Sequence, residues 1–226
     1  MNHNLIIVAV DGPAGSGKST VSKMVARALN WSFVSTGAVY RMAAFIIANR
    51  GLEFSAGNEK KWIDAIALSA EKMSWNFERE MIVFDGKEYE DELHTIEIGE
   101  AASLIAKVPE IRRILLSVQR NFCLRTDKKG VIVEGRDVGT VVFPDAELKI
   151  FLTASIEERA ARRGKQLQIE AADQEYMREK LEKRDLQDST RIVAPLIPAD
   201  DAILIDTSGK SLADAVAEFL GYAIKI

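Results

Sequence analysis

Residues 12–19 read Gly-Pro-Ala-Gly-Ser-Gly-Lys-Ser and follow the short apolar run of residues 5–10. That run is β-branched and ends at Asp11-Gly12-Pro13, which predicts a buried strand entering a loop. Apolar side chains then recur at helical spacing over residues 18–30, which predicts a helix. The octapeptide therefore matches the phosphate-loop pattern G-x-x-x-x-G-K-[ST] in the strand-to-helix context that the pattern requires.

The loop predicts a site for the phosphates of ATP or GTP. Its glycines let the backbone wrap around phosphate oxygens with the N–H groups pointing inward, and the helix N-terminus adds a positive dipole end. Lys18 is expected to reach the β- and γ-phosphates, and the Ser19 hydroxyl is expected to bind Mg²⁺. The predicted nucleotide contacts are Gly12, Pro13, Ala14, Gly15, Ser16, Gly17, Lys18, Ser19 and Thr20.

Other segments predict an α/β fold. Residues 131–133, 149–152 and 202–205 are further apolar runs that alternate with helical patterns, which is typical of a parallel sheet with helices on both faces. Ser211 is the expected N-cap of a final helix. Residues 75–98 differ, because alternating side chains lead to Asp85-Gly86, a dipeptide favoured in hairpin turns. We expect a small antiparallel insert there.

Composition limits the class of protein. A chain of 226 residues with a net charge of −4 has room for one main domain, and its charge argues against coating a nucleic acid polymer. No apolar run approaches the roughly 20 residues that span a bilayer. Cys123 is the single cysteine and nothing at the N-terminus resembles a secretion signal, so we expect a cytoplasmic protein that is not bound to membranes.

The scarcity of histidines and the abundance of arginines indicate which kind of group accepts the phosphate. The chain has two histidines, and neither lies in a segment typical of a catalytic loop. A phosphate monoester is already ionised near neutral pH and needs arginines more than a base. Arginines are plentiful, above all in the charge-dense residues 156–191, although any one of them could instead form a surface ion pair on a solvated helix.

Three segments resemble the signatures of the cytidylate kinase family, in the order in which that family has them. Residues 35–41 read Ser-Thr-Gly-Ala-Val-Tyr-Arg, and residues 135–145 read Gly-Arg-Asp-Val-Gly-Thr-Val-Val-Phe-Pro-Asp. Residues 183–191 read Lys-Arg-Asp-Leu-Gln-Asp-Ser-Thr-Arg. The Gly-Arg-Asp-x-Gly-Thr part separates this chain from kinases that share only the phosphate loop.

The resemblance implies a kinase that transfers phosphate from ATP to CMP and dCMP, with Mg²⁺ as cofactor. It implies one domain over residues 1–226 with a parallel five-stranded sheet of the nucleoside monophosphate kinase type. It also implies a monophosphate-binding insert at about residues 60–110 and a mobile helical lid at about residues 156–170. We expect a monomer with nucleotides as its partners.

The resemblance also assigns roles to residues. Ser103, Arg112 and Asp137 would face the cytosine base, and Arg184 and Asp188 would hold the ribose. The remaining predicted contacts of CMP, mostly around its phosphate, are Thr36, Arg41, Arg136 and Arg191. The catalytic residues would be Lys18, Arg136, Arg159 and Arg163. An Asp suits cytosine because its carboxylate accepts a hydrogen bond from the exocyclic amino group, which uracil lacks.

The chain departs from the family pattern at two positions, and two other functions are compatible with the sequence. The family often has Asp at the position of Ser35 and Arg at the position of His94, which bears on acceptor binding and on packing of the insert. The first alternative is a phosphate-loop kinase of another small acceptor such as UMP. The second is a nucleotide-binding regulatory module, which would need switch loops that the sequence does not offer.

Overall fold

A computed structural model describes residues 5–166 and 174–226 of the chain. Its larger sheet has five strands in the order β2-β6-β1-β7-β8. The strands are β1 (Ile6–Asp11), β2 (Ser32–Ser35), β6 (Gly130–Glu134), β7 (Leu148–Thr153) and β8 (Ile203–Asp206). Strand β1 pairs in parallel with β6 and β7, and β7 pairs in parallel with β8.

The smaller sheet is the predicted antiparallel insert. It consists of β3 (Met73–Asn76), β4 (Met81–Phe84) and β5 (Lys87–Tyr89). Asp85 and Gly86 join the last two strands, and both have positive φ angles, of 51° and 78°. Two consecutive positive φ angles are what a tight turn that matches the twist of a hairpin requires. The predicted α/β class, with a parallel five-stranded sheet and a small antiparallel sheet, is confirmed.

Eight α-helices occur within the described residues. They are α1 (Lys18–Ala28), α2 (Thr36–Asn49), α3 (Glu59–Ala67), α4 (Ile96–Ile105), α5 (Pro109–Leu124), α6 (Ile156–Gln166), α7 (Gln174–Thr190) and α8 (Leu212–Ala223). The predicted cap of the last helix is confirmed, because the Ser211 side chain accepts a hydrogen bond from the Asp214 amide. Among the described residues, none of these helices is both long and apolar enough to cross a membrane.

The chain forms two compact units. We call Phe33–Asp127 the insert unit, and residues 5–32 with 128–226 the sheet unit. In the sheet unit, Val8, Ala9 and Val10 of β1 are completely buried, because a central strand of a parallel sheet is covered on both faces. In the insert unit, the largest buried side chains include Trp62, Ile66, Ile82, Ile105, Ile111 and Leu115.

Candidate active site

The phosphate loop joins β1 to α1 and is shaped by glycines with positive φ. A Cβ atom on Gly12, where φ is 145°, would lie 2.0 Å from the carbonyl oxygen of Leu152. On Gly15, where φ is 78°, it would lie 2.8 Å from the carbonyl oxygen of Arg159. Only glycine fits these two positions, because the backbone conformation and the space both exclude a side chain.

Helix α1 begins at Lys18, and its first turn faces the loop. The amides of a first helical turn have no acceptor within the helix, so they are available to an anion. The Lys18 ammonium is buried and donates hydrogen bonds to the Pro13 carbonyl at 2.6 Å and to Ser16 Oγ at 3.5 Å. Ser19 and Thr20 are exposed at the same turn. The predicted loop residues therefore lie together around one helix N-terminus.

The electrostatics around Lys18 favour an anion. Burial lowers the pKa of Lys18 well below its usual value, and the positive charge of Arg136 lowers it further. The carboxylates of Glu134 and Asp11 act in the opposite direction. Two cations that disfavour each other's charge in a buried place are stabilised by a negative group bound to both, as a phosphate would be.

A second cluster of charges is centred on Asp188 of α7, which is 5 % exposed. Arg136 Nε donates a hydrogen bond to Asp188 Oδ2 at 3.3 Å, and Arg184 Nε lies 3.9 Å from the same oxygen. Arg191 Nη1 lies 3.9 Å from Asp188 Oδ1, and Arg191 Nη2 lies 4.0 Å from Asp137 Oδ1. The structure thus brings together all five residues of the sheet unit that the sequence assigns to CMP.

Positive charge exceeds negative charge in this Asp188 cluster, since three guanidiniums meet two carboxylates. Burial lowers the pKa of Arg184 to about 10, and the neighbouring Arg136 contributes to the same shift. The buried Nε of Arg184 makes no hydrogen bond within the described residues, although Asp188 lies near it. Such a cluster has the capacity to bind further oxygen ligands.

Helix α6 carries the arginines of the predicted lid. Arg159 is buried, and it donates to the carbonyls of Ala154 at 3.0 Å and Ala14 at 3.3 Å and to Asp185 Oδ2 at 2.6 Å. It therefore connects the phosphate loop with α7. Arg163 is half-buried, and burial lowers its pKa. Residues 167–170 of the predicted lid lie outside the described residues, and the lid stays a prediction.

The insert unit carries the other residues that the sequence assigns to CMP. Arg41 on α2 donates a hydrogen bond to the Leu93 carbonyl at 2.7 Å. Its guanidinium lies against Gly99 of α4, where an added Cβ would be 3.3 Å from Nη1. Ser103 follows one turn later on the same face of α4. Thr36 is buried at the first position of α2.

Arg112 of α5 extends this group of insert-unit residues. It is 8 % exposed, donates to the Ala106 carbonyl at 3.3 Å, and lies 5.6 Å from the centre of the Tyr40 ring. Tyr40 precedes Arg41 on α2. Within the insert unit, the predicted residues thus lie on three neighbouring helices.

The sequence profile of the cytidylate kinase family matches residues 8–225 of the chain. The chain belongs to the cytidylate kinase family. A protein named cytidylate kinase from Pseudomonas paraeruginosa is 43 % identical over 226 residues, covering 96 % of this chain and 94 % of the relative. Another of that name from Alkaliphilus oremlandii is 41 % identical over 215 residues, covering 94 % of this chain and 95 % of the relative. Membership in the cytidylate kinase family is therefore supported along nearly the whole chain.

A solved structure supports the fold alone. An uncharacterized protein from Eubacterium ventriosum superposes with a TM-score of 0.53 at 14 % identity, covering 98 % of this chain and 99 % of that one.

Three polar residues of this cytidylate kinase family member carry contacts that the sequence did not reveal. Asp11 accepts hydrogen bonds from the amides of Val138 and Gly139, and Asp185 pairs with Arg159. Arg162 donates to the hydroxyl and the carbonyl oxygen of Thr207, at 2.8 and 2.9 Å. Two of these residues had a signal in their position, because Asp11 precedes the loop motif and Asp185 lies inside residues 183–191.

Proposed function

We propose that this chain transfers the γ-phosphate of ATP to CMP, and also to dCMP, giving ADP and the corresponding cytidine diphosphate. The observation that carries the proposal is the combination of the Lys18 loop with the Asp188 cluster in the sheet unit of a cytidylate kinase family member. The loop suits the donor phosphates, and the cluster suits an acceptor that is itself a phosphate ester.

The catalysis that we propose is electrostatic. The acceptor oxygen of CMP is ionised near neutral pH, so it attacks the γ-phosphorus without a protein base, and the bond from the γ-phosphorus to the β,γ-bridging oxygen breaks to release ADP. Lys18 and the amides of the α1 N-terminus stabilise the charge on the donor oxygens, and Arg136 and Arg163 stabilise the charge on the transferring group. Arg159 acts through the phosphate loop, whose Ala14 carbonyl it contacts.

The recognition of CMP that we propose follows the resemblance. Asp137 accepts from the amino group of cytosine, with Ser103 and Arg112 on the ring acceptors. Arg184 and Asp188 bind the ribose. Arg41, Arg136 and Arg191 bind the phosphate, with Thr36 beside it. The burial of Asp137 and Arg112 supports these roles, because buried polar groups discriminate most strongly between a ligand that satisfies them and one that does not.

Mg²⁺ fits the donor set of the loop. The described residues contain no group of three or more His, Cys, Asp or Glu side chains able to hold a metal, so an all-protein cage is not what this site offers. Mg²⁺ usually keeps several waters and binds substrate phosphates with only one or two protein ligands. The exposed Ser19 hydroxyl would be that ligand, and the ion would supply charge neutralisation between the β- and γ-phosphates.

The organisation of the chain is part of the proposal. We infer a nucleoside monophosphate-binding insert at about residues 60–110, a lid at about residues 156–170, and a monomer that acts in the cytoplasm. The insert unit of residues 33–127 contains the proposed insert, which supports that assignment.

An assay of ADP release tests the proposal. Wild-type protein with ATP and Mg²⁺ is given CMP, dCMP, UMP, AMP or no acceptor, and Lys18→Ala serves as the inactive control. We expect rapid release with CMP and dCMP and little with UMP, AMP or no acceptor. A regulatory module would release ADP at the same slow rate with every acceptor, which would overturn the proposal.

A further inference from the structure

Asp11 connects two parts of the sheet unit that the proposed function treats separately. It is the last residue of β1, directly before the phosphate loop, and it is 6 % exposed. Its Oδ1 accepts a hydrogen bond from the Val138 amide at 2.8 Å, and its Oδ2 accepts one from the Gly139 amide at 2.7 Å. The carboxylate is therefore committed to the backbone of the segment that carries Arg136 and Asp137.

Two anchors hold that segment to β1. On one side of Arg136 and Asp137, the Gly135 amide donates to the Val10 carbonyl at 2.8 Å. On the other side, the next two amides donate to Asp11. The first anchor joins main chain to main chain and survives most substitutions. The second depends on one side chain, that of Asp11.

The geometry calls for an Asp at this position. The two adjacent N–H groups donate to different oxygens of Asp11, and a carboxylate supplies two such oxygens whereas an amide supplies one. In Asn one oxygen is replaced by an NH₂ group, which would face a backbone N–H. The close approach of Asp11 also favours glycine at position 139. An added Cβ there would lie 3.4 Å from Asp11 Oδ2 and 3.2 Å from the side-chain carbons of Lys149.

Burial disfavours the charged form of the Asp11 carboxylate. Burial raises its pKa to about 6, and the negative charge of Asp137 contributes, while the two amides and Lys18 act in the opposite direction. Buried charges that reduce stability tend to be retained at functional sites.

We propose that Asp11 is a positioning residue for the nucleoside monophosphate: its carboxylate fixes residues 135–140 against β1 and so sets where Arg136 and Asp137 meet CMP. The inference rests on the proposed function, since it concerns the same acceptor. Asp11 itself touches no substrate in this account. Its effect passes through two backbone hydrogen bonds.

The test compares Asp11→Asn with Glu147→Gln. Glu147 is a matched control, because its carboxylate also accepts a backbone amide of β1, that of Ile7 at 2.8 Å, but near the opposite end of the strand. Dissociation constants for CMP and for a non-hydrolysable ATP analogue are measured by calorimetry, together with KM and kcat. We expect Asp11→Asn to weaken CMP binding about tenfold or more, as the loss of a buried hydrogen bond implies, and Glu147→Gln to change nothing. Binding of the ATP analogue should change less than threefold.

Three results would overturn the inference. They are an unchanged CMP affinity in Asp11→Asn, an equal loss for CMP and the ATP analogue, and an equal loss in Glu147→Gln. If Asp11→Asn does not fold, Asp11→Glu is judged by the same criteria, because its longer side chain keeps the charge but displaces the two amides. Failure of the proposed function is distinguishable, since the wild type itself would then not phosphorylate CMP.

Discussion

The phosphate loop and the Asp188 cluster both suit phosphate groups, but they are built differently. The loop is contiguous in sequence, and its contacts come from backbone amides, glycines and one lysine. The cluster joins residues 136–137 to residues 184–191, and its contacts are ion pairs between side chains. We therefore expect the loss of Lys18 to abolish the function of the loop. We expect the loss of one side chain from the Asp188 cluster to weaken binding only in part.

Lys18→Ala removes the one lysine of the phosphate loop and should have the largest effect on catalysis. The substitution removes a charge aimed at the β- and γ-phosphates, so we expect kcat to fall by about 10³-fold or more. Because Lys18 contacts the loop rather than the apolar core, the variant should remain folded by circular dichroism. Exposed Lys129→Ala is the control and should have normal turnover. Near-normal turnover of Lys18→Ala would contradict the role of the loop.

Asp188→Asn removes the central negative charge of the Asp188 cluster. Three guanidiniums would lose their shared counter-charge, and the residue that we propose as a ribose ligand would lose its charge. Hydrogen bonds to charged groups contribute about 1.5–3 kcal/mol, so we expect KM for CMP to rise about 10- to 100-fold. Steady-state kinetics at saturating ATP would measure it. Asp201→Asn, which removes the exposed partner of Lys149, is the control. An equal rise in KM for ATP would show that the two sites are not separate.

Asp137→Ala separates recognition of the base from the charge balance of the Asp188 cluster. If Asp137 reads the base as we propose, the amino group of cytosine loses its acceptor at a cost of about 1–3 kcal/mol, whereas UMP has no amino group to lose one. The ratio of kcat/KM for CMP to that for UMP should therefore fall. If Asp137 serves only to anchor Arg191, both acceptors will decline by the same factor.

Asp11 lies between the phosphate loop and the segment that carries Arg136 and Asp137. Asp11→Asn should change the pH dependence of the free energy of unfolding, and this is the smallest of the expected effects. Because the folded-state pKa of Asp11 is raised to about 6, the folded protein binds more protons than the unfolded chain between pH 4 and 6, and stability rises as pH falls. The free energy of unfolding of the wild type should increase by about 1 kcal/mol relative to Asp11→Asn between pH 7 and 5. Urea titrations at both pH values would measure the difference. A constant difference would show that Asp11 does not titrate there.

The same contrast explains how much could be predicted from the sequence. The loop, the hairpin turn at Asp85-Gly86 and the Ser211 cap were predictable, since each depends on neighbouring residues. Strand β2 was not predicted, because four residues with serine at both ends carry no clear apolar run. The contacts of Asp11 span more than 120 positions in the chain, and no local pattern reveals them.

The arginines show the same limit. Arg162 and Arg163 follow Arg159 by three and four positions on α6, a spacing that gathers side chains on one helical face. The structure gives Arg159 and Arg162 separate partners, Asp185 with the loop carbonyl of Ala14 for one and Thr207 for the other. Helical spacing predicts which way a side chain points, but the partner that it meets depends on packing between distant segments. The catalytic roles of Arg159 and Arg163 remain predictions.

A competition experiment measures the acceptor preference of the wild-type protein. Wild-type protein, Mg²⁺ and ATP labelled in the γ-phosphate are mixed with equal concentrations of CMP, UMP and AMP, and the labelled products are separated at low conversion. The distribution of label gives the ratios of kcat/KM in one vessel. We expect most of the label to be found in CDP. Label found equally in CDP and UDP, mainly in ADP formed from AMP, or mainly in inorganic phosphate would contradict it.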